Sequence, residues 1–374
     1  MKKKKNKIFN IIVLFLNLTV VFLILISYIS QYISPEKYWY MAFFGLAYPL
    51  ILFANIFFIL IWIIKRNFYF LISLVSIIIG WQVLIRFTVT NKKTENVPKN
   101  AIKVMSFNAR NFDLYNYHPH WKLNFEKRNK IFALLKKESP DIICFQEFVH
   151  DAKGNFKTHD TIIQFLKTKY FHTEYTKSSK NVNFFGVATY SIYPIINRGK
   201  IKFNTTSGNT CIFSDIVINK DTIRIYNVHF ESIRLSPEDY LFAEEIKKNI
   251  KENEKFTNNS KRIIKRLKTA FQKRAPQSEL VTESIMDCPY PVILCGDFND
   301  TPCSYSYKTV TSGLNDAFVE SGNGIGNSYV SKIPFFRIDY ILYSKIFKSY
   351  NYHVIKEELS DHYPVTAFLE LKRE

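Results

Sequence analysis

Val292-Ile293-Leu294-Cys295-Gly296-Asp297-Phe298-Asn299-Asp300 is the stretch on which the reading of this chain turns. Four apolar residues read as a buried strand, and the run ends at once in a glycine, two carboxylates and an amide. A carboxylate at a strand end costs free energy unless a metal, a cation or hydrogen bonds compensate it. In extended chain Asp297 and Asn299 project to the same side. A carboxylate and an amide so placed can orient an attacking water and steady a forming oxyanion. Gly296 allows backbone or substrate to approach closely.

The same arrangement recurs along the chain. The apolar run 101–107 closes on Asn108, 141–145 closes on Gln146-Glu147, and 223–228 closes on His229. Downstream come Arg337-Ile338-Asp339-Tyr340-Ile341-Leu342 and then Ser360-Asp361-His362. Taken singly each has a bland reading: turn asparagines, loop glutamates and structural histidines are common. Taken together they predict one convergent site for chemistry on phosphate. Glu147 suits a hard divalent ion that keeps several waters. Asn108 can bind a phosphate oxygen or hold a metal-bound carboxylate, and His229 can donate to a phosphoryl oxygen. Asp339 is placed to fix the tautomer of His362, and Asp361 to meet metal or water. The remaining six of eight histidines are read as structural or surface residues.

Around these motifs the pattern is mixed. Strand-like runs are read at 185–190, 212–218, 338–343 and 365–369, with helical spacing at 124–137 and 161–169. A long basic amphipathic helix is expected over 237–281. Strands interleaved with helices indicate α/β. No CxxC pair or zinc spacing occurs among the five cysteines, and a Cys288–Cys303 bridge stays open as an expectation.

The first ninety residues are different material. Apolar runs at 8–30, 41–64 and 68–87 each approach the ~20 residues that cross a hydrocarbon core. The basic start, Lys2 to Lys5, and Lys65-Arg66 after the second run orient the N-terminus to the cytoplasm. Three crossings would put everything after Phe87 on the opposite side of the membrane. Residues 91–100 read as a tether and 101–374 as the catalytic domain. Of 51 basic residues 9 precede position 91, against 1 of 32 acidic ones, so the remainder carries a net +11. Such a surface suits nucleic acid, anionic lipid or another phosphate-rich partner. A chain that is 47% hydrophobic and 16% aromatic is not disordered.

In order, SFNAR, CFQEF, GVATYSIYPI, NVHF, CGDFN, RIDYIL and SDHYPV resemble the motifs of the endonuclease/exonuclease/phosphatase superfamily, over residues 101–370. With its anchor and Arg274-Ala275-Pro276-Gln277 before the GDFN strand, the chain is similar to membrane-anchored Bacteroidetes-type members. The resemblance implies a four-layer α/β sandwich of two facing mixed sheets flanked by helices, here preceded by three transmembrane helices. It implies Mg2+-dependent, or Mn2+-dependent, phosphoester hydrolysis. Motif by motif, it gives Asn108 and Glu147 the metal roles, with Asp361 adjacent. It gives His229 the phosphate contact, Asp297 and Asn299 the water and transition-state roles, and Asp339 with His362 the paired role. Asn108 and Tyr226 are further candidates for contact with substrate. Ile192 departs from the pattern, which usually has a basic residue there, and this bears on substrate choice.

The expectation is a membrane-tethered, metal-dependent phosphodiesterase or nuclease working by in-line water attack. A lipid or inositol phosphate phosphoesterase is the alternative within the class. A non-catalytic membrane protein that binds phosphorylated ligands is the alternative outside it. The expected partners are a phosphate ester (nucleic acid or phospholipid headgroup) and the bilayer, with no protein partner.

Overall fold

The computed structural model describes residues 2–118, 122–204, 207–233, 254–331 and 335–372. The chain opens with four helices, α1 (Lys2–Ser30), α2 (Met41–Ile64), α3 (Phe70–Ile79) and α4 (Trp81–Leu84). Strands β1 (Thr88–Thr90) and β2 (Ile102–Asn108) follow, then a hairpin of β3 (Tyr117–His118) and β4 (Lys122–Leu123), and α5 (Glu126–Glu138). Next are β5 (Ile142–Asp151), α6 (Thr158–Leu166), β6 (Tyr170–Ser179), β7 (Asn183–Ser191), β8 (Ile195–Ile201), β9 (Thr210–Ile218) and β10 (Asp221–His229). The chain continues through α7 (Glu254–Met286), β11 (Val292–Asp297), α8 (Tyr305–Val310), β12 (Leu314–Asp316), α9 (Ala317–Ser321) and β13 (Asn323–Ile325). It ends with β14 (Asp339–Ser344), β15 (Phe347–Val354) and β16 (Val365–Leu371).

Two six-stranded sheets face each other, ordered β12-β14-β11-β10-β9-β8 and β15-β16-β2-β5-β7-β6. Each contains one parallel pair, β10/β11 and β2/β5, in otherwise antiparallel surroundings. Strand alternation explains the layering. Val104, Ile142, Cys144, Ile225, Ile293, Cys295 and Ile341 point inward and form the core between the sheets. Their neighbours point outward: Met105, Ile143 and Phe145 pack on α5 and α6, and Tyr226, Leu294 and Leu342 pack on α7 and α8. The fold is thus α/β, two mixed sheets flanked by helices.

The amphipathic helix expected at 237–281 is present as α7, running to Met286; residues 237–253 lie outside the described ones. Its buried face includes Phe271, Ala275 and Val281, but also Arg274. The Arg274 guanidinium pairs with Asp300 at 3.0 Å and donates to the Glu231 carbonyl at 3.0 Å. A buried cation is tolerable only with such compensation.

At the N-terminus, α1 and α2 are long and apolar enough to cross a membrane. The third run, 68–87, is not a continuous span. It breaks at Gly80, where the Tyr28 ring occupies the space of a side chain, and leaves a ten-residue helix, α3. Ten residues rise only ~15 Å, half the thickness of a hydrocarbon core. Polar contacts bind the bundle: Asn17 donates to Ser73 Oγ at 2.6 Å and accepts from Trp62 Nε1 at 2.8 Å.

The segment read as a tether is fastened at its start. β1 pairs antiparallel with β13, Asn91 donates to the Val319 carbonyl, and Thr94 exchanges two hydrogen bonds with the Asn351 side chain. The helices dock as well. Arg86 bridges Gln31 and the Pro302 carbonyl, Cys303 Sγ donates to the Ser27 carbonyl at 3.3 Å, and buried Arg337 donates to the Arg86 carbonyl at 3.0 Å. The Cys288–Cys303 bridge does not form. All five cysteines are free thiols, and Cys303 is committed to α1 while Cys288 turns to the Tyr290 carbonyl.

Gly45 of α2 lies against the Cys303 carbonyl, with no room for a Cβ. Gly45→Leu should force the helices off the domain at a cost of about 1–3 kcal/mol. Limited proteolysis of the purified full chain should then show faster cutting between residues 88 and 100. Unchanged cutting and unchanged thermal stability would show that the joint is not tight.

Candidate active site

The inward parity that builds the core also builds the site. Asn108, Gln146, His229, Asp297 and Asp339 share the phase of the inward-facing residues of their strands, so they crown the inter-sheet layer at one end. Asp297 is the hub and is fully buried. Its Oδ2 accepts from Asn108 Nδ2 at 2.9 Å and from Asn299 Nδ2 at 3.1 Å, and its Oδ1 accepts the Asn299 backbone N–H at 2.8 Å. His229 Nε2 stands 3.6 Å and His362 Nε2 3.8 Å from the same Oδ2.

Asn299 reaches Asp297 because its backbone is left-handed, φ 53°, a conformation asparagine tolerates. Glu147 is out of phase with its strand and arrives by a different device. The β5/β7 ladder slips between Phe145 and Phe148, and Glu147 occupies the bulge with φ 47°. Its carboxylate is thereby turned into the cleft, 3.4 Å from Asn108 Nδ2 and 3.9 Å from His229 Nε2.

His362 Nδ1 bonds the Asp339 carboxylate at 3.0 Å. Burial alone would lower the imidazole pKa, but Asp339 and then Asp297 overcome it and raise it to about 10. Burial raises Asp297 above the usual carboxylate range; His362 opposes that shift and Asp339 adds to it. Glu147 is raised by burial and by the charge of Asp361. The trio Asp297, Asp339 and His362 clusters closely enough to suggest a metal position. The proton on His362 offsets one of the two carboxylates, and Asn108 and Asn299 donate to the other, so the trio reads as a hydrogen-bonded dyad and hub. The pair short of positive charge is Glu147 with Asp361, near which Arg110 stands at 3.8 Å from Asp361 and more than half exposed.

The structure therefore brings together Asn108, Glu147, His229, Asp297, Asn299, Asp339 and His362, with Asp361 at the rim. It does not bring Tyr226. In a strand, the third residue before His229 faces the opposite side, and the Tyr226 hydroxyl bonds the Ser284 carbonyl under α7. Among the other histidines, His172 is bonded to Ser214 and His159 to Tyr190, away from the site, while His120 lies outside the described residues.

Several supporting residues escaped the sequence reading. Gln146 donates to Asn227 at 2.7 Å, and Asn227 donates to the Phe145 and Ala188 carbonyls, so a buried amide bridge ties the two sheets just beneath the site. Their place at the strand ends, beside Asn108 and His229, was the available signal. Ser328 Oγ accepts the backbone N–H groups of Ile338 and Asp339, and Ser360 Oγ donates to the Asn108 carbonyl. From Glu147 and His229 a cleft of about 380 Å³ opens past Tyr115, Lys177, Phe185 and Asn209.

Residues 105–362 match the model of the Endonuclease/Exonuclease/phosphatase family. The chain belongs to this family. Its members are phosphoester hydrolases that use divalent metal ions, on substrates such as nucleic acids. Residues 6–87 separately match a family described as a Domain of unknown function (DUF8431). The fold is similar to that of an endonuclease/exonuclease/phosphatase from Bacteroides vulgatus, at 17% identity and a TM-score of 0.52, covering 73% of this chain and 99% of that one. It is also similar to one from Beutenbergia cavernae, at 16% identity and a TM-score of 0.50, covering 72% of each chain. No curated protein matches the sequence.

Gly296 sits opposite Val228 in the parallel β10/β11 pair, and a Cβ there would run into the Val228 carbonyl. Gly296→Ala should cost about 1–3 kcal/mol and misplace Asp297. Thermal unfolding and turnover on a phosphodiester should both fall. A variant as stable and active as wild type would contradict this packing of the hub.

Proposed function

We propose that this family member is a membrane-anchored, divalent-metal-dependent phosphodiesterase that works by in-line attack of water on phosphorus. The observation that carries the reading is the buried Asp297 carboxylate, ringed by Asn108, Asn299, His229 and His362, with Glu147 facing it across the Asn108 amide.

A divalent cation fits at Glu147. That carboxyl is pushed upward by burial and by the neighbouring negative charge of Asp361, and both groups offer oxygen at the mouth of the cleft. An oxygen donor set with room for water suits Mg2+, with Mn2+ as its substitute. Glu147, with Asn108 and Asp361 beside it, would hold the ion. When bound it supplies charge neutralisation at the phosphoryl and leaving oxygens.

The protein groups divide the remaining work. Asp297, its pKa raised by burial, takes the proton from the attacking water. Asn299 and Asn108 hold that carboxylate in place. His362 is an imidazolium at neutral pH and donates from Nε2 to a phosphoryl oxygen, with Asp339 fixing the ring through Nδ1. His229 donates to a second phosphoryl oxygen from the other side. The water oxygen joins phosphorus as the opposite P–O bond breaks, the departing oxygen takes a proton from solvent, and the products are a phosphomonoester and an alcohol.

The apolar length of α1 and α2 supports the anchor. The lysines at the start of the chain support a cytoplasmic N-terminus, with the catalytic part across the inner membrane.

His362→Ala should lower kcat on bis(p-nitrophenyl) phosphate by about 10²–10⁴-fold with little change in KM, the scale of a positioned acid–base group. Chelation should abolish wild-type turnover, and Mg2+ or Mn2+ should restore it. A His362→Ala enzyme within a few-fold of wild type, or activity that survives chelation, would contradict the mechanism.

A further inference from the structure

Just past Asn108 the backbone makes a left-handed turn. Arg110, Asn111, Phe112 and Asp113 have φ angles of 45°, 53°, 53° and 60°. That conformation crowds the Cβ of any residue but glycine, so four in succession persist only where packing holds them. Phe112 supplies the hold, fully buried among the rings of Phe132, Phe145 and Phe148. The chain leaves this turn at Tyr115, on the wall of the cleft that runs to Glu147 and His229.

Tyr115 is 58% exposed, and among the described residues after position 100 it is the one exposed aromatic. One face of its ring lies on Phe185, with centroids 6.0 Å apart and planes 27° from parallel. Phe185 reaches the wall from β7 at a place where both neighbouring ladders slip. The β5/β7 register shifts between Phe145 and Phe148, and the β6/β7 register between Tyr175 and Lys177, each opposite Gly186. A Cβ on Gly186 would strike the Glu174 carbonyl, so no larger residue fits between the bulges. The bulge that turns Glu147 into the cleft therefore stands beside the residue that backs Tyr115. Phe185 and the strained turn fix the Tyr115 ring before any ligand arrives, and a fixed planar surface binds a second ring at little entropic cost.

We propose that Tyr115 is a specificity-determining residue whose ring stacks on a planar ring carried by the phosphoester, in the unit next to the scissile phosphate. The inference rests on the phosphodiesterase reading above and names the feature of the substrate that the cleft selects. Phe185, Tyr115 and the substrate ring form a stack of three. The shared chemistry is an aromatic or heteroaromatic ring, whether of an aryl alcohol or of a base. Asn111 and Lys177 line the same cleft and offer polar contacts at the edge of such a ring. A phosphoester with only small alkyl groups gains nothing at Tyr115.

The test uses the full chain in detergent micelles with Mg2+ and three ligands that water cannot cleave at phosphorus: methylphosphonate, phenylphosphonate and the 5′-methylenephosphonate analogue of thymidine 5′-phosphate. Titration calorimetry gives the affinity of each. Wild type should bind at least one ring-bearing ligand about ten-fold or more tighter than methylphosphonate, the scale of one ring stacked on an aromatic side chain. Tyr115→Ala should erase that margin while methylphosphonate affinity stays within about two-fold. Tyr115→Phe should keep the margin, and Tyr115→Leu should lose most of it. A margin for the thymidine analogue alone assigns the ring to a base, and a margin for phenylphosphonate as well assigns it to any aryl group. Four results overturn the proposal: no margin in wild type, a margin that survives Tyr115→Ala or Tyr115→Leu in full, a margin that Tyr115→Phe loses, or methylphosphonate binding that weakens along with the others. Turnover of bis(p-nitrophenyl) phosphate by wild type with Mg2+ or Mn2+ is measured beside these titrations. Its absence would sink the phosphodiesterase reading, whereas ring binding stands or falls on the calorimetry.

Discussion

A carboxylate with no access to water governs this molecule. Asp297 sits at the meeting point of the two sheets, and its charge is tolerable only because donors from four other segments point at it. Asn108 comes from β2, His229 from β10, Asn299 from the turn after β11, and His362 from the chain before β16. Each donor is held by something further out. Asp339 holds His362, Ser360 holds the Asn108 carbonyl, and the Gln146–Asn227 bridge holds the two strand ends at a fixed separation. Removing one partner leaves a buried charge uncompensated, which costs about 3–5 kcal/mol in comparable settings. The arrangement that satisfies Asp297 in the resting protein is also one that can receive the charge of a phosphoryl group.

The same logic ties the helical bundle to the domain. Arg274 pairs with Asp300 and Arg337 with Asp316, both arginines fully buried. Asp300 opens the segment that reaches Cys303 under α1, and Arg337 reaches the Arg86 carbonyl while closing the loop that carries Tyr329 and Phe335. The two buried ion pairs therefore stand between the site and the bundle. The N-terminal helices dock on the domain through Gly45, Arg86 and Cys303.

Much of this was legible because central strands in a two-sheet sandwich bury both faces. Runs such as Val292 to Cys295 on β11 and Tyr340 to Tyr343 on β14 are apolar throughout, and the polar residue beside each run announces the layer it caps. The strands of the two large sheets that were not foreseen, β6, β8, β12 and β15, are the four sheet edges. An edge strand buries less, so sequences like Tyr170–Ser179 and Phe347–Val354 mix polar and apolar residues with no continuous run. Glu147 stands out by its chemistry, yet the bulge that aims it has no one-residue signature. Tyr226 misleads because its closeness to His229 in sequence hides the opposite parity. At the Gly80 break the chain lies against the Tyr28 ring, a tertiary contact no hydropathy window contains.

The central claim is that these strand ends form one cation-assisted site with Asp297 as its hub. Anomalous diffraction from crystals grown with Mn2+ tests it most directly. The account predicts a single strong peak within ~2.0–2.4 Å of a Glu147 carboxylate oxygen, on the cleft side of Asn108 and short of the Asp339–His362 pair. A peak held by Asp297, Asp339 and His362 instead, or full turnover in crystals and solution with no ion near Glu147, would contradict it.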